Sequence, residues 1–195
     1  PRGDRGAPGV PAGRGRRGRV TAGGPSTRDA VVSATARRHR RQTQARWRRF
    51  VIIAMLVVVA DQVTKLIIRG QMAPREMIEV FPGFSISRVS NEGIAFGLFP
   101  GRQGIVAVLT VIALSAIAIA LAGLVARNAM VAVGAGLLVG GSLGNLIDRL
   151  VHGAVTDFID LDRWPAFNLA DCGITVGAVL IVLGLLRDAD EDDDG

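Results

Sequence analysis

Three aspartates lie in one stretch of the chain where a run of apolar residues ends and another begins. They are Asp148, Asp157 and Asp171, within residues 144–171. An acidic side chain at bilayer depth costs about 2.5–3.5 kcal/mol on insertion scales, so each one suggests a functional site. Two carboxylates held close together in a low-dielectric setting cannot both ionise cheaply, so one keeps a proton while the other stays charged. Such a pair could activate water against a peptide carbonyl without a metal, a serine or a thiol.

The composition indicates a membrane protein. The chain has 195 residues, of which 49% are hydrophobic, and a mean hydropathy of +0.37, with its apolar residues in long unbroken runs. The net charge is +6, but most of the arginines precede Phe50 and acidic residues collect at the other end. Because the charge is carried by the tails, no nucleic-acid partner is expected.

Four apolar runs must position these aspartates, and each is long enough to cross a bilayer core of about 30 Å at about 1.5 Å per residue. The predicted spans are residues 50–68, 105–126, 129–150 and 165–186. Arginines cluster just before the first span, which favours a cytoplasmic N-terminus. Four spans then return the C-terminus to the cytoplasm and bring the three aspartates to the outer face. A cleaved signal peptide is the competing interpretation of the first run, but Asp61 and Lys65 interrupt it and no small-x-small cleavage site ends it.

The predicted fold class is an all-α membrane protein with four transmembrane helices and a small extracytoplasmic β-containing loop region. Residues 1–45 are expected to be a disordered Arg/Gly/Pro-rich cytoplasmic extension, residues 46–187 the four-span domain, and residues 188–195 an acidic tail. Between the first two spans, Phe84 and Ile86 alternate with polar residues after Pro82 and Gly83, which predicts a small hairpin or sheet. That element could cradle an extended peptide or serve only as a structural lid, and the sequence leaves both open.

Polar residues within the spans recur at helical spacing, which puts the members of each pair on one face. The pairs are Asp61 with Lys65, Asn145 with Asp148, and Asn168 with Asp171. The first pair could equally be an interfacial ion pair whose side chains reach toward the headgroups, and the second could be a helix cap. The third span also carries Gly136, Gly140 and Gly144, a spacing typical of close helix packing.

Five motifs, in order along residues 50–186, resemble those of lipoprotein signal peptidase, also called signal peptidase II. They read Asp61-Gln-Val-Thr-Lys65, Asn91-x-Gly93-x-Ala95-Phe96, Gly144-Asn145-x-x-Asp148-Arg149, Val155-x-Asp157-Phe158 and Phe167-Asn168-x-Ala170-Asp171. Each motif is weak alone, whereas five in order are specific. The sequence departs from the family pattern at Ile94, where a small residue is common.

The resemblance implies a bacterial plasma-membrane aspartic protease that cleaves prolipoproteins on the N-terminal side of a diacylglyceryl-modified cysteine. It implies that Asp157 and Asp171 are the catalytic pair. The residues that it implies shape the site or bind substrate are Asp61, Lys65, Asn91, Gly93, Asn145, Asp148, Arg149 and Asn168. We expect no metal or other cofactor, and we expect a monomer whose partners are prolipoprotein signal peptides and membrane lipids.

Other classes of membrane protein fit less well. A proton-coupled transporter would more often hold its carboxylates near the midplane between repeated halves, and these halves do not repeat. A presenilin-type protease would carry a tyrosine beside one aspartate, and the chain has none. A cysteine protease is disfavoured because Cys172 lies in an apolar run and His152 would be its only partner outside the tail.

Overall fold

Four long helices make up most of the chain in a computed structural model that describes residues 27–92 and 103–193. The helices are α1 (Thr27–Gln71), α2 (Gln103–Arg127), α3 (Ala129–His152) and α4 (Leu169–Asp193). Each contains a stretch long and apolar enough to cross a membrane, with mean hydropathies of 2.2, 2.7, 1.8 and 2.3. The four predicted spans are therefore confirmed. The described residues from Arg38 onward form one compact unit, and every contact described below lies within it.

Helix α3 is the central element, since 56% of its most apolar stretch is buried, compared with 17%, 6% and 22% for the other three. Its glycines allow this burial. A Cβ atom added at Gly140 would lie 2.7 Å from the carbonyl oxygen of Ala54 on α1, and one added at Gly134 would lie 2.7 Å from that of Gly177 on α4. The glycine face predicted from the sequence is thus the surface of α3 that packs against α1. Gly134 lets α4 approach α3 equally closely.

The turn between α2 and α3 is the single residue Asn128. Asn128 is the N-cap of α3, and its Oδ1 accepts hydrogen bonds from the backbone N–H groups of Met130 and Val131 at 2.7 and 3.1 Å. Its Nδ2 donates to Gly184 O and Asp188 Oδ1 on α4. One asparagine therefore begins α3 and also ties it to α4.

A four-stranded antiparallel sheet accompanies the helices. Its strands are β1 (Met77–Phe81), β2 (Phe84–Asn91), β3 (Val155–Leu161) and β4 (Trp164–Phe167), in that spatial order. The first two form the hairpin predicted around Phe84 and Ile86. Residues 151–164, which separate the third and fourth predicted spans, contain β3, and this strand pairs with β2 about seventy residues earlier.

The fourth helix begins later than predicted. Pro165 belongs to β4, which is an edge strand, and α4 starts at Leu169. Proline lacks a backbone N–H and is tolerated in an edge strand. The apolar run that begins at Pro165 therefore starts in a strand and becomes helical only at Leu169. As a result Asp171 lies in the first turn of α4 rather than two turns inside it.

The first and last helices also extend beyond the predicted spans. Helix α1 already includes residues 27–45, where disorder is expected, and α4 continues through the acidic residues to Asp193. No glycine or proline occurs between Thr27 and Arg69, and arginine and alanine, which are frequent there, are good helix formers. Residues 1–26 of the predicted extension lie outside the described residues.

Candidate functional site

Asp157 is a buried carboxylate on β3, with 2% of its surface exposed. Its Oδ2 accepts a hydrogen bond of 2.9 Å from Asn91 Nδ2, and its Oδ1 accepts one of 2.6 Å from Asn168 Nδ2. The sheet explains the first bond. Asn91 pairs with Val155 across the β2–β3 ladder, and side chains two residues apart on a strand share a face.

Asp171 is held by the start of α4. Its Oδ2 accepts from the backbone N–H of Asn168 at 3.1 Å, and its own backbone N–H donates to Asn168 Oδ1 at 3.1 Å. This is a capping box in which asparagine and aspartate take the places of the usual Ser/Thr and Glu/Gln. The other oxygen, Oδ1, accepts from Asn145 Nδ2 on α3 at 2.8 Å. The local geometry of the helix start therefore fixes the orientation of this carboxylate.

Asn168 joins the two aspartates. Its side-chain amide donates to Asp157, and its backbone N–H donates to Asp171. Asn168 is fully buried, and its Nδ2 also donates to Asn145 Oδ1 at 3.2 Å. Because one residue bonds to both carboxylates, they face the same small volume at the junction of β4 and α4.

Lys65, the single lysine of the chain, lies fully buried behind this junction. Its Nζ is 2.9 Å from Asp61 Oδ2, 3.3 Å from Asp148 Oδ2 and 2.8 Å from Asn145 Oδ1. An ammonium group has three N–H donors, and three oxygens on two helices surround it. The lysine therefore fixes α1 to α3 and orients the amide that contacts Asp171.

Asp61 also reaches the helix that carries Asp171. Its Oδ1 accepts from the backbone N–H of Ala170 at 3.0 Å, which satisfies one of the unpaired donors in the first turn of α4. A negative charge at this position is favourable to the helix dipole. A Cβ atom at Gly144 would lie 2.5 Å from Asp61 Oδ2, so only glycine there leaves room for this carboxylate.

The two aspartates have different environments. Burial raises the pKa of the Asp157 carboxyl, and the nearby charge of Asp171 acts in the same direction. The hydrogen bonds from Asn91 and Asn168 oppose this shift without reversing it. Asp171 is only half-buried. The two carboxylates therefore differ in their burial.

The comparisons with known proteins point to one family. The model of the family described as signal peptidase (SPase) II matches residues 53–187. This chain belongs to the signal peptidase II family. The lipoprotein signal peptidase of Pelotomaculum thermopropionicum is 41% identical over 143 residues, which cover 73% of this chain and 93% of that protein. The corresponding enzyme of Halothermothrix orenii is 39% identical over 135 residues, covering 69% and 92%.

Solved structures agree with this assignment. A bacterial membrane enzyme structure at 37% identity superposes with a TM-score of 0.62, covering 73% of this chain and 90% of that one. A second bacterial membrane enzyme structure, at 38% identity, gives the same TM-score and covers 71% and 93%. The chain is therefore a multi-pass membrane peptidase of the signal peptidase II family, as its motifs suggest.

Most of the residues predicted from the signal peptidase II motifs meet in this one network. Arg149 is at its edge, where its Nη1 donates to Asn145 O at 3.4 Å while its Nε has no hydrogen-bond partner among the described residues. Gly93 lies outside the described residues. The structure brings the others together, and their roles in the peptidase remain predictions. Those that meet are Asp61, Lys65, Asn91, Asn145, Asp148, Asp157, Asn168 and Asp171.

Three members of the signal peptidase II network were not singled out from the sequence. Gln62 Nε2 donates to Asp61, Gly144 O and Asp148. Arg69 Nη1 donates to Asp148 Oδ1 and to the hydroxyl of Thr156, both at 3.1 Å. Arg69 could have been found, since it follows Lys65 by four residues and so shares its helical face. Thr156 could not, because its partner is 87 residues away.

Proposed function

We propose that this chain is an aspartic endopeptidase that removes signal peptides from prolipoproteins, cleaving on the N-terminal side of a diacylglyceryl-modified cysteine. The observation that carries the proposal is the pair of hydrogen bonds by which Asn168 contacts both Asp157 and Asp171. Membership of the signal peptidase II family supports the substrate class, since the relatives compared above are named lipoprotein signal peptidases.

The roles of the two carboxylates follow from their surroundings. Asp157, whose pKa is raised by burial, holds the proton, and Asp171 is the charged base. Asp171 takes a proton from water as the water oxygen attacks the scissile carbonyl carbon, while Asp157 donates its proton to the carbonyl oxygen. The C–N bond then breaks, and the leaving nitrogen takes the proton that Asp171 received. The hydroxyl proton of the intermediate returns to Asp157.

The neighbouring apolar cleft fits a lipid-anchored substrate. A cleft of about 390 Å³ between α1, α3 and α4 is lined by apolar side chains. Its wall includes Leu169 and Cys172 in the first turn of α4, the turn that also carries Asp171. An apolar substrate segment in this cleft would hold the scissile bond near both carboxylates, which lowers the entropic cost of reaction. Every group in the site comes from one chain, so the mechanism requires only a monomer.

Cleavage of a synthetic lipopeptide tests the substrate assignment. The purified protein in nonionic detergent should cleave a peptide carrying diacylglyceryl-cysteine, and mass spectrometry should place that cysteine at the new N-terminus. The same peptide with unmodified cysteine is the control and should be cleaved far more slowly, because it lacks the anchor. Equal rates for both peptides, or cleavage elsewhere, would contradict the proposal.

We also propose that both termini face the cytoplasm of a bacterial plasma membrane and that the site opens on the outer face. The arginines before Phe50 favour this orientation, and the four candidate spans found among the described residues return the chain to the same side. In a Cys172→Ser background, single cysteines introduced at Arg163 and Asp190 should respond differently to an impermeant thiol reagent in intact cells. Labelling is expected at the first position, and labelling at the second instead would reverse the topology.

A further inference from the structure

A second cavity, of about 530 Å³, is lined by residues of β1, β2 and β3 and by residues at the ends of α1 and α3. Its wall contains Thr156 but neither Asp157 nor Asp171. The wall also contains Arg69, near the end of α1, and His152, the last residue of α3. The cavity therefore lies where two membrane-spanning helices end, at the depth expected for lipid phosphates.

The wall of this cavity is basic. Its basic side chains are those of Arg69, Arg75, Arg88 and His152, and its one carboxylate is that of Glu92. Arg69 also pairs with Asp148 at 3.1 Å, so part of its charge is already neutralised. Arg75 and Arg88 form no ion pair with a carboxylate in the part of the chain that the structure describes. The cavity thus has an excess of positive charge that the described residues do not balance.

Arg69 and Arg88 are each held in place by hydrogen bonds from only one of their guanidinium nitrogens. Arg88 Nη1 donates to the carbonyl oxygens of Arg69 and Met72, at 3.0 and 2.6 Å, and so caps the end of α1. Arg69 uses its own Nη1 for both of its bonds. Within residues 27–92 and 103–193, the remaining N–H groups of both side chains form no hydrogen bond. Arginine in a fixed orientation with free donors suits a ligand with several acceptor oxygens.

An unsatisfied hydroxyl lies in the same wall. Ser87 is 1% exposed, and its Oγ has no hydrogen-bond partner among the described residues. Leaving a buried polar group unpaired is costly, and native structures contain few such groups. A small rotation of this side chain would let its O–H donate to a ligand in the cavity. The serine hydroxyl and the guanidinium groups are all donors, which selects a ligand that only accepts.

We propose that this cavity binds a phosphate group, either as a free anion or as the headgroup phosphate of an anionic phospholipid. Phosphate supplies negative charge and several acceptor oxygens together. The free N–H groups of Arg69 and Arg88 contact it from the end of α1, the Ser87 hydroxyl donates to it from β2, and Arg75 adds charge. Glu92 opposes binding from the same wall.

Titration with inorganic phosphate tests the site on the full-length protein in nonionic detergent, at constant ionic strength and with chloride as the comparison anion. Phosphate should bind saturably and raise Tm. Ser87→Ala should weaken binding about tenfold, the usual scale for a hydrogen bond to a charged group. It should not impair folding, because the hydroxyl has no hydrogen-bond partner to lose within residues 27–92 and 103–193. The matched control is Ser85→Ala, on the same strand but outside the cavity wall.

Two charge variants and a lipid measurement complete the test. Arg75→Gln should weaken phosphate binding several-fold, Glu92→Gln should strengthen it, and Arg163→Gln, outside the wall, should leave it unchanged. If the headgroup phosphate is the ligand, native mass spectrometry of the protein in nanodiscs should find phosphatidylglycerol retained in preference to phosphatidylcholine. The Ser87→Ala variant should show a weaker preference. Saturable binding of inorganic phosphate alone would assign the site to a free anion. If neither is bound, or if Ser87→Ala and Arg75→Gln bind like their controls, the proposal is wrong.

Discussion

Replacing either Asp157 or Asp171 by asparagine should reduce kcat by about 10²–10⁴-fold, the usual contribution of a positioned acid or base. Asparagine keeps the size of the side chain and an acceptor oxygen for Asn168, but it can neither take a proton from water nor give one to a carbonyl. The two residues act in one cycle, so the double variant should lose little more than either single variant. Initial rates of lipopeptide cleavage at matched amounts of inserted protein measure this loss.

The control for this prediction is Asp160→Asn. Asp160 lies on the same strand as Asp157 and pairs with Ser85, and among the described residues its side chain forms no hydrogen bond or ion pair with the network. Its rate should stay within about twofold of the wild type, since surface substitutions of this kind usually have small effects. The mechanism is falsified if Asp157→Asn or Asp171→Asn, present at normal levels, still cleaves at a rate near that of the wild type.

The pH dependence of stability gives the same prediction a second readout. Because burial raises the pKa of Asp157 in the folded state, the unfolded chain loses this proton at lower pH than the folded chain does. The stability associated with the neutral carboxyl is therefore present at low pH and is lost as pH rises from the unfolded pKa through the folded one. The advantage of the wild type over Asp157→Asn should shrink as pH rises through this range. An advantage that grows instead would contradict the assignment of the proton to Asp157.

Replacing Lys65 by methionine should destabilise the protein by about 3–5 kcal/mol, the cost of breaking a buried ion pair from one side. The change keeps an unbranched apolar stem but removes the ammonium group, leaving Asp61 and Asp148 buried near each other without their shared counter-ion. It also removes the donor to Asn145, which contacts Asp171. Activity should therefore fall even at temperatures where the variant remains folded. Thermal unfolding in detergent, followed by rate measurements below Tm, separates the two effects.

A second substitution identifies the cause of this destabilisation. Adding Asp148→Asn to the Lys65→Met variant removes one of the two carboxylates that share the lysine, so the double variant should lose less stability than the sum of the single variants. Val63→Met, at an exposed position of the same helix, is the control for introducing methionine and should change stability little. Strict additivity, or a loss in Val63→Met comparable with that in Lys65→Met, would show that the ion pair is not the cause.

The sequence by itself determined the features that depend on local periodicity. Unbroken apolar runs gave the four spans, and a spacing of three or four residues placed Asp61 with Lys65 and Asn145 with Asp148 on single helical faces. The alternation at Phe84 and Ile86 gave the hairpin. These features depend on neighbours within about two turns of helix or one strand, so the sequence shows them directly.

Tertiary structure alone decided how these faces meet. The β2–β3 register brings Asn91 to Asp157 from 66 residues away, and the packing of α1 against the start of α4 brings Asp61 to Ala170 across 109 residues. Such pairings are set by the burial of whole elements, and a strand that slips by one residue turns every side chain to the other face. The late start of α4 after Pro165 also depended on β4 finding a partner in β3. For that reason the sequence could name Asp157 and Asp171, but only the folded chain connects both to Asn168 and places Lys65 behind them.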